Sequence, residues 1–221
     1  MTAPPRVLRP RACTVRAAAA IISALAWLLG VARAPQAADP PGTPASRDAL
    51  ALCHRAQDAG PGERDALLAQ ALERAEEATE ADDADALAHF ARFCALGEQA
   101  RRSGSNPMNL FRLRPIRREI DRTLELAPDF PDALVGKGAF LMSVPGFLGG
   151  DDEAGERLLR RALDIDPQYV GARLRLAENL AKHGRRDEAR HEAELALAAA
   201  EAKGETADAE KARHLLADAD R

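Results

Sequence analysis

From residue 46 onward, apolar residues recur every three or four positions, the spacing that places them on one side of an α-helix. No stretch alternates apolar and polar residues over the length of a strand. The pattern therefore predicts an all-α chain. The predicted helices are 46–58, 64–81, 84–102, 115–127, 131–143, 151–165, 168–182, 186–203 and 205–219.

Several of these helices carry signals at their ends. Pro115 and Pro131 suit a first helical turn, because the N–H that proline lacks has no partner there. Asp151 is a favourable N-terminal cap, and Gly184 suits the end of a helix.

Small residues repeat along the helices at long intervals. Successive equivalent positions are spaced 45, 39 and 34 residues apart, at Ala78, Thr123, Ala162 and Ala196. A period of 34 residues is typical of a unit built from two antiparallel helices. The clearest unit is 170–203, with inward positions at Leu176, Ala177, Leu180, Ala189, Ala193 and Ala196.

On these residues the chain resembles the tetratricopeptide repeat (TPR) family over roughly residues 62–203. The resemblance implies an all-α, TPR-like solenoid of antiparallel helix pairs that binds other proteins. The last predicted helix, 205–219, has alanine and leucine on one side and charges on the other, so it is the expected C-terminal capping helix.

Two units are longer than the 34-residue period, and both insertions fall between the first and second helix of their unit. Such turns line up along one edge of a solenoid, so we expect the insertions to be neighbours. The first, at 100–118, is rich in arginine, and the second, at 143–152, holds an aromatic residue among prolines and glycines. Because arginine and aromatic residues are frequent at interaction hot spots, they predict a partner-binding surface. Its candidate residues are Arg101, Arg102, Arg112, Arg114, Phe147 and Leu148.

A structural explanation of the insertions is the alternative. In it, Phe147 and Leu148 pack into the core, and the arginines pair with local acids such as Asp121 and Glu125.

The N-terminus has the features of a secretory signal peptide. Five arginines and no acid occur in the first 33 residues, and residues 17–32 are uncharged. That uncharged stretch makes about 24 Å of helix, less than the ~30 Å of a bilayer core, which favours a cleaved signal over a permanent anchor. We therefore predict a signal peptide at 1–34, a Pro/Ala-rich linker at 35–45 and a repeat domain at 46–221, in a periplasmic or secreted protein. An uncleaved N-terminal segment is the alternative and would be the only membrane contact.

Composition and charge exclude several partners. Cleavage would remove five of the 31 basic residues and none of the 35 acidic ones, changing the formal net charge from −4 to −9. The exported body would be acidic, and the whole chain has only one Trp and one Tyr, which argues against nucleic-acid binding. Self-association stays open. Cys53 and Cys94 could form a disulfide in an oxidising compartment, although two separate buried cysteines are slightly favoured.

No catalytic, metal or cofactor motif is present in the sequence. The five histidines belong to neither an HExxH pair nor a CxxC set, and surface histidine is the preferred interpretation. The glycine-rich turn 146–150 lacks the Lys-Ser/Thr of a phosphate loop. The sequence therefore predicts a protein without enzymatic activity, metal or cofactor.

The preferred function is an exported TPR scaffold or adaptor that mediates protein–protein interactions in the bacterial cell envelope. The alternative comes from a second resemblance. The exported chain, its Leu/Arg-rich connector and the turn Pro-Gly-Phe-Leu-Gly-Gly-Asp are similar to the periplasmic T-components of TRAP-type transporters. That similarity implies a ligand-handling groove, lined by small apolar residues such as Ala91, Ala139 and Leu174.

Overall fold

The computed structural model describes residues 40–102 and 110–219. These two ranges contain nine α-helices, one 3₁₀ turn at Gly146–Leu148 and no strand, so the predicted all-α fold is confirmed. The predicted signal peptide and residues 35–39 of the predicted linker lie outside the described residues. The helices are α1 (Pro44–Asp58), α2 (Pro61–Ala81), α3 (Ala86–Arg102), α4 (Leu110–Leu126), α5 (Pro131–Ser143), α6 (Asp152–Ile165), α7 (Val170–Lys182), α8 (Arg186–Lys203) and α9 (Thr206–Ala219).

The helices pack as consecutive pairs, α1 with α2, α3 with α4, α5 with α6 and α7 with α8. The seams between them are built from small residues. The inward face of α8 is a row of alanines that are almost fully buried, at Ala189, Ala193, Ala196 and Ala200. Small side chains let paired helices approach to about 8–10 Å, which is why the repeat is visible as recurring alanine.

The last helix closes the stack, as the sequence predicts. Ala209 and Ala212 of α9 are buried in one cluster with Val170 and Leu174 of α7. The opposite side of α9 is charged and exposed, and Lys211 there pairs with Asp208 at 2.7 Å. This is the polar-backed cap that an open-ended repeat requires.

Local signals position two of the helix starts. Asp151 caps α6 by accepting a hydrogen bond from the Ala154 N–H at 2.8 Å. Pro44 opens α1 after Thr43, whose hydroxyl accepts from the Ser46 N–H at 3.1 Å. The Thr43 N–H in turn donates to the buried Asp85 at 3.0 Å, which fixes the start of α1 to the start of α3.

The start of α4 differs from the prediction. The sequence places Pro115 in the first turn, whereas the helix begins at Leu110 and Pro115 lies inside it. A proline inside a helix removes one backbone hydrogen bond, to the carbonyl four residues earlier, and the remaining turns continue on both sides. Residues 110–114, which the prediction left in the connector, therefore belong to α4.

The cysteines also differ from the favoured expectation. Cys53 of α1 and Cys94 of α3 form a disulfide, with their Cα atoms 6.4 Å apart. The preference for two separate buried cysteines was wrong, because the packing of α1 against α3 places the two residues at the same level. The bond fixes the first helix pair to the second.

None of the helices in the described ranges is both long enough and apolar enough to cross a bilayer.

Candidate protein-interaction surface

The connector between α5 and α6 is a fixed turn rather than a loose loop. Within the turn, the N–H groups of Leu148 and Gly150 donate to the Pro145 carbonyl at 2.8 and 3.1 Å, and the Gly149 N–H donates to the Gly146 carbonyl at 2.9 Å. The Asp151 N–H donates to the Leu141 carbonyl of α5 at 3.0 Å. Gly149 has a φ of +89°, which a residue with a side chain rarely adopts. A Cβ atom at Gly150 would overlap the Val144 carbonyl.

This turn presents Phe147 to solvent. The side chain is 87% exposed, and it is the more exposed of the two large hydrophobic residues found at the surface of the described residues. The alternative that places Phe147 in the core is therefore wrong for this residue, whereas Leu148 is half-buried. An aromatic side chain on a preordered turn loses little conformational entropy when it is buried against a partner.

Arg117 joins the two insertions. Its guanidinium donates a hydrogen bond to the Gly149 carbonyl and lies 5.8 Å from the centre of the Phe140 ring. The first insertion therefore contacts the second, and the expectation that they are neighbours is confirmed. We call the surface formed by the N-terminal half of α4 and the turn 144–151 the connector edge.

Two of the predicted arginines are held by acids of the same chain. Arg101 pairs with Glu98, and Arg102 pairs with Asp65 of α2. Burial and the nearby Arg175 lower the pKa of Arg101. Arg101 therefore agrees with the alternative of local pairing, whereas Arg102 pairs with an acid on another helix.

The other predicted arginines lie on α4. Arg112 and Arg114 are both exposed, and Arg114 lies at the rim of a groove that follows the outer side of the helix. The acids that the alternative assigned to the arginines have other partners. Lys137 holds Asp121 at 2.8 Å, and Arg122 pairs with Glu125 at 3.4 Å.

The groove along α4 has a volume of about 840 Å³ and ends against a buried charged cluster. His89 is only 5% exposed, and its Nδ1 lies 2.7 Å from the Glu119 carboxylate. Its Nε2 lies 3.1 Å from the Asp83 carbonyl oxygen. The interpretation of His89 as a surface histidine was wrong. The signal that could have found this cluster is that Glu119 shares the inward face of α4 with Ile116 and Thr123.

Cations around Glu119 keep this buried carboxyl charged. Burial alone would raise its pKa, but the hydrogen bonds from His89 and Arg118 and the charge of Arg92 outweigh burial and lower the pKa. The Arg118 guanidinium lies 2.9 Å away and that of Arg92 3.5 Å away. The cluster therefore ties α4 to α3 by charge as well as by apolar packing.

The groove expected for an apolar ligand has a different lining. Ala91 and Leu174 are buried in the core, so their assignment to a groove surface was wrong. Ala139 does line a groove of about 200 Å³ between α5 and α7, together with the largely polar set Met142, Ser143, Arg175, Glu178, Asn179 and Lys182.

Within the described residues, no three His, Cys, Asp or Glu side chains are grouped so that they could hold a metal ion. Both cysteines of the described residues, Cys53 and Cys94, are engaged in the disulfide.

Comparison with known proteins gives similarity at the level of structure. No protein-family model and no curated protein matches the sequence. A crystal structure described as a thermophilic TPR protein, TTC0263 of Thermus thermophilus, superposes with a TM-score of 0.58 at 21% identity, covering 78% of this chain and 81% of that one. A crystal structure of MamA superposes with a TM-score of 0.51 at 19% identity, covering 72% of this chain and 81% of that one. The chain therefore has the TPR fold that its repeats predicted.

Proposed function

We propose that this chain is an exported, non-enzymatic TPR scaffold that binds a protein partner of the bacterial cell envelope through its connector edge. The observation that carries the proposal is Phe147, which is 87% exposed on a turn fixed by backbone hydrogen bonds. Aromatic side chains are enriched at the hot spots of protein interfaces, so one that is held outward by a fixed turn suits a contact with another protein.

Charge at the same edge supports the proposal. Arg117 is held by a carbonyl and an aromatic ring rather than by a carboxylate, so its positive charge stays at the surface next to the turn. Arg112 and Arg114 add exposed cations one turn earlier on α4. Cations at the rim of an apolar contact raise the rate of encounter and add specificity.

Export to the periplasm is supported by two independent features. The first 34 residues have the basic and then apolar pattern of a signal peptide. The disulfide between Cys53 and Cys94 suits an oxidising compartment, because cytosolic thiols are kept reduced. Cell fractionation together with the mass of the mature chain tests this, and a cytosolic chain with its first 34 residues intact would contradict it.

The transporter-associated alternative needs an apolar groove. The groove between α5 and α7 is small, about 200 Å³, and its lining includes the charged residues Arg175, Glu178 and Lys182, so we do not favour a ligand-handling role.

Photo-crosslinking in the envelope tests the partner surface. A benzophenone amino acid replaces Phe147 in one strain and Leu195 in a control strain; Leu195 is the other exposed large apolar residue and lies on α8. We expect a discrete adduct at position 147, none at position 195, and competition by unlabelled wild-type chain but not by the Phe147→Ala variant. Absence of any adduct at 147, or equal adducts at both positions, would contradict the proposal.

A further inference from the structure

The outer side of α4 carries a charged stripe with a regular order. Arg114, Arg118, Asp121 and Glu125 follow one another at intervals of four, three and four residues, which places them on one helical face. All four line the groove along α4. The opposite face is buried, with Ile116 and Ile120 in the core. The stripe thus lies opposite the core face of α4, in a groove that residues of α2 and α3 also line, among them Thr79 and Arg92.

The stripe is basic in its N-terminal half and acidic in its C-terminal half, so it is complementary to itself when it is reversed. If a second α4 lies antiparallel to the first, Arg114 faces Glu125 of the second copy and Arg118 faces Asp121 of the second copy. The twofold axis then passes between residues 119 and 120. Each of the four stripe residues then meets the opposite charge, as an isologous interface requires.

We propose that this surface binds a second copy of the same chain, with the two α4 helices antiparallel. Arg114 and Glu125 are eleven residues apart, or about 16 Å along the helix, so they form the two ends of the contact. Charge complementarity selects this occupant, because a uniformly acidic or basic partner would be repelled by one half of the stripe.

The ion pairs within one chain leave these side chains able to take a second partner. Lys137 engages Oδ1 of Asp121, and Arg122 engages Oε2 of Glu125, so each carboxylate keeps a second oxygen. The Arg118 side chain remains 70% exposed although it contacts Glu119, and that of Glu125 remains 66% exposed. The groove of about 840 Å³ leaves room for side chains of a second helix.

Contacts made by exposed charges are individually weak and are screened by salt. We therefore expect a reversible dimer that dissociates as the salt concentration rises, rather than an obligate one. The inference does not depend on the connector edge as a partner site, since neither Phe147 nor its turn takes part in the stripe.

Exchange of charges at the two ends tests the dimer. Arg114→Glu places an acid opposite Glu125 of the second copy, and Glu125→Arg places an arginine opposite Arg114 of the second copy. We expect each variant alone to raise the dimer dissociation constant by about tenfold or more. A mixture of the two variants, and the double variant Arg114→Glu/Glu125→Arg, should each restore a dimer, because the charges are again opposite at both ends.

The measurement is sedimentation velocity on protein purified after expression of the full chain, at low and at high salt and at up to about 100 µM. Arg157→Glu, an exposed charge reversal on α6, is the control and should keep the wild-type dimer. A monomeric wild type at low salt would overturn the proposal, as would a dimer that survives Arg114→Glu or a mixture of variants that stays monomeric. Loss of the dimer with an unchanged crosslink at position 147 separates this result from a failure of the proposed partner surface.

Discussion

Replacing Gly155 with alanine should force α5 and α6 apart where they cross. A Cβ atom at this position would lie 2.9 Å from the Gly138 carbonyl oxygen and 2.7 Å from Cγ of Met142. The methionine side chain can turn aside, but the carbonyl belongs to the backbone of α5 and moves only with the helix. The contact is reciprocal, since a Cβ atom at Gly138 would lie 3.0 Å from the Gly155 carbonyl oxygen.

Two opposing effects set the size of the change. Overpacking in a closely packed seam costs about 1–3 kcal/mol. Alanine in place of glycine inside a helix returns about 1 kcal/mol. We therefore expect Gly155→Ala to lower the free energy of unfolding by up to about 2 kcal/mol. Gly97 of α3 is the matched control, because a Cβ atom there meets nothing within 4 Å and only the helical preference acts.

Thermal unfolding followed by far-ultraviolet circular dichroism measures both variants. At this chain length 1 kcal/mol shifts the Tm by about 2–4 °C, so the two variants should move in opposite directions from the wild type and be easy to separate. Equal melting temperatures for Gly155→Ala and Gly97→Ala would refute the close crossing of α5 and α6.

Two further predictions concern the N-terminal helix pairs. Cys53→Ser should lower the free energy of unfolding by about 4 kcal/mol, the chain-entropy value for a disulfide that spans 41 residues. A reductant should destabilise the wild type but not the variant, and equal sensitivity of both to the reductant would contradict this. The pKa of Glu119 lies below its ordinary value of 4.5, so its stabilising effect is complete above that pH and is lost as the pH falls through the pKa of the folded chain. Glu119→Gln should therefore be less stable at neutral pH and lose less stability on acidification, as measured by urea unfolding across the acid range, whereas an unchanged acid dependence would refute the role of this carboxyl.

The helices could be predicted where the signals are local. The cap at Asp151, the proline at Pro131 and the recurring alanines of α8 all act within one or two turns of the residue concerned. The predicted range 131–143 coincides with α5, and 186–203 coincides with α8. The 34-residue period predicted the solenoid because the same small residues are needed at every helix crossing.

Contacts between distant residues could not be predicted in this way. The disulfide joins residues that lie on different helix pairs, and Arg102 finds its partner, Asp65, on another helix. His89 is buried because α4 places the Glu119 carboxylate against it. The residues next to His89 in the sequence do not indicate this contact. At the connector edge, composition predicts the arginines and Phe147 as candidate residues. Which of the arginines pair with acids of the same chain depends on long-range contacts.

The two proposed surfaces can be occupied at the same time because they use different faces of α4. Ile116 and Ile120 face the core, Arg117 faces the turn that carries Phe147, and the stripe that begins at Arg114 faces outward. A second copy on the stripe therefore leaves the turn uncovered. The dimer would carry two Phe147 turns, one from each copy. Such a pair of sites binds a multivalent partner more tightly than either site alone. Even a weak dimer would therefore raise the apparent affinity of the scaffold for a partner with repeated binding sites.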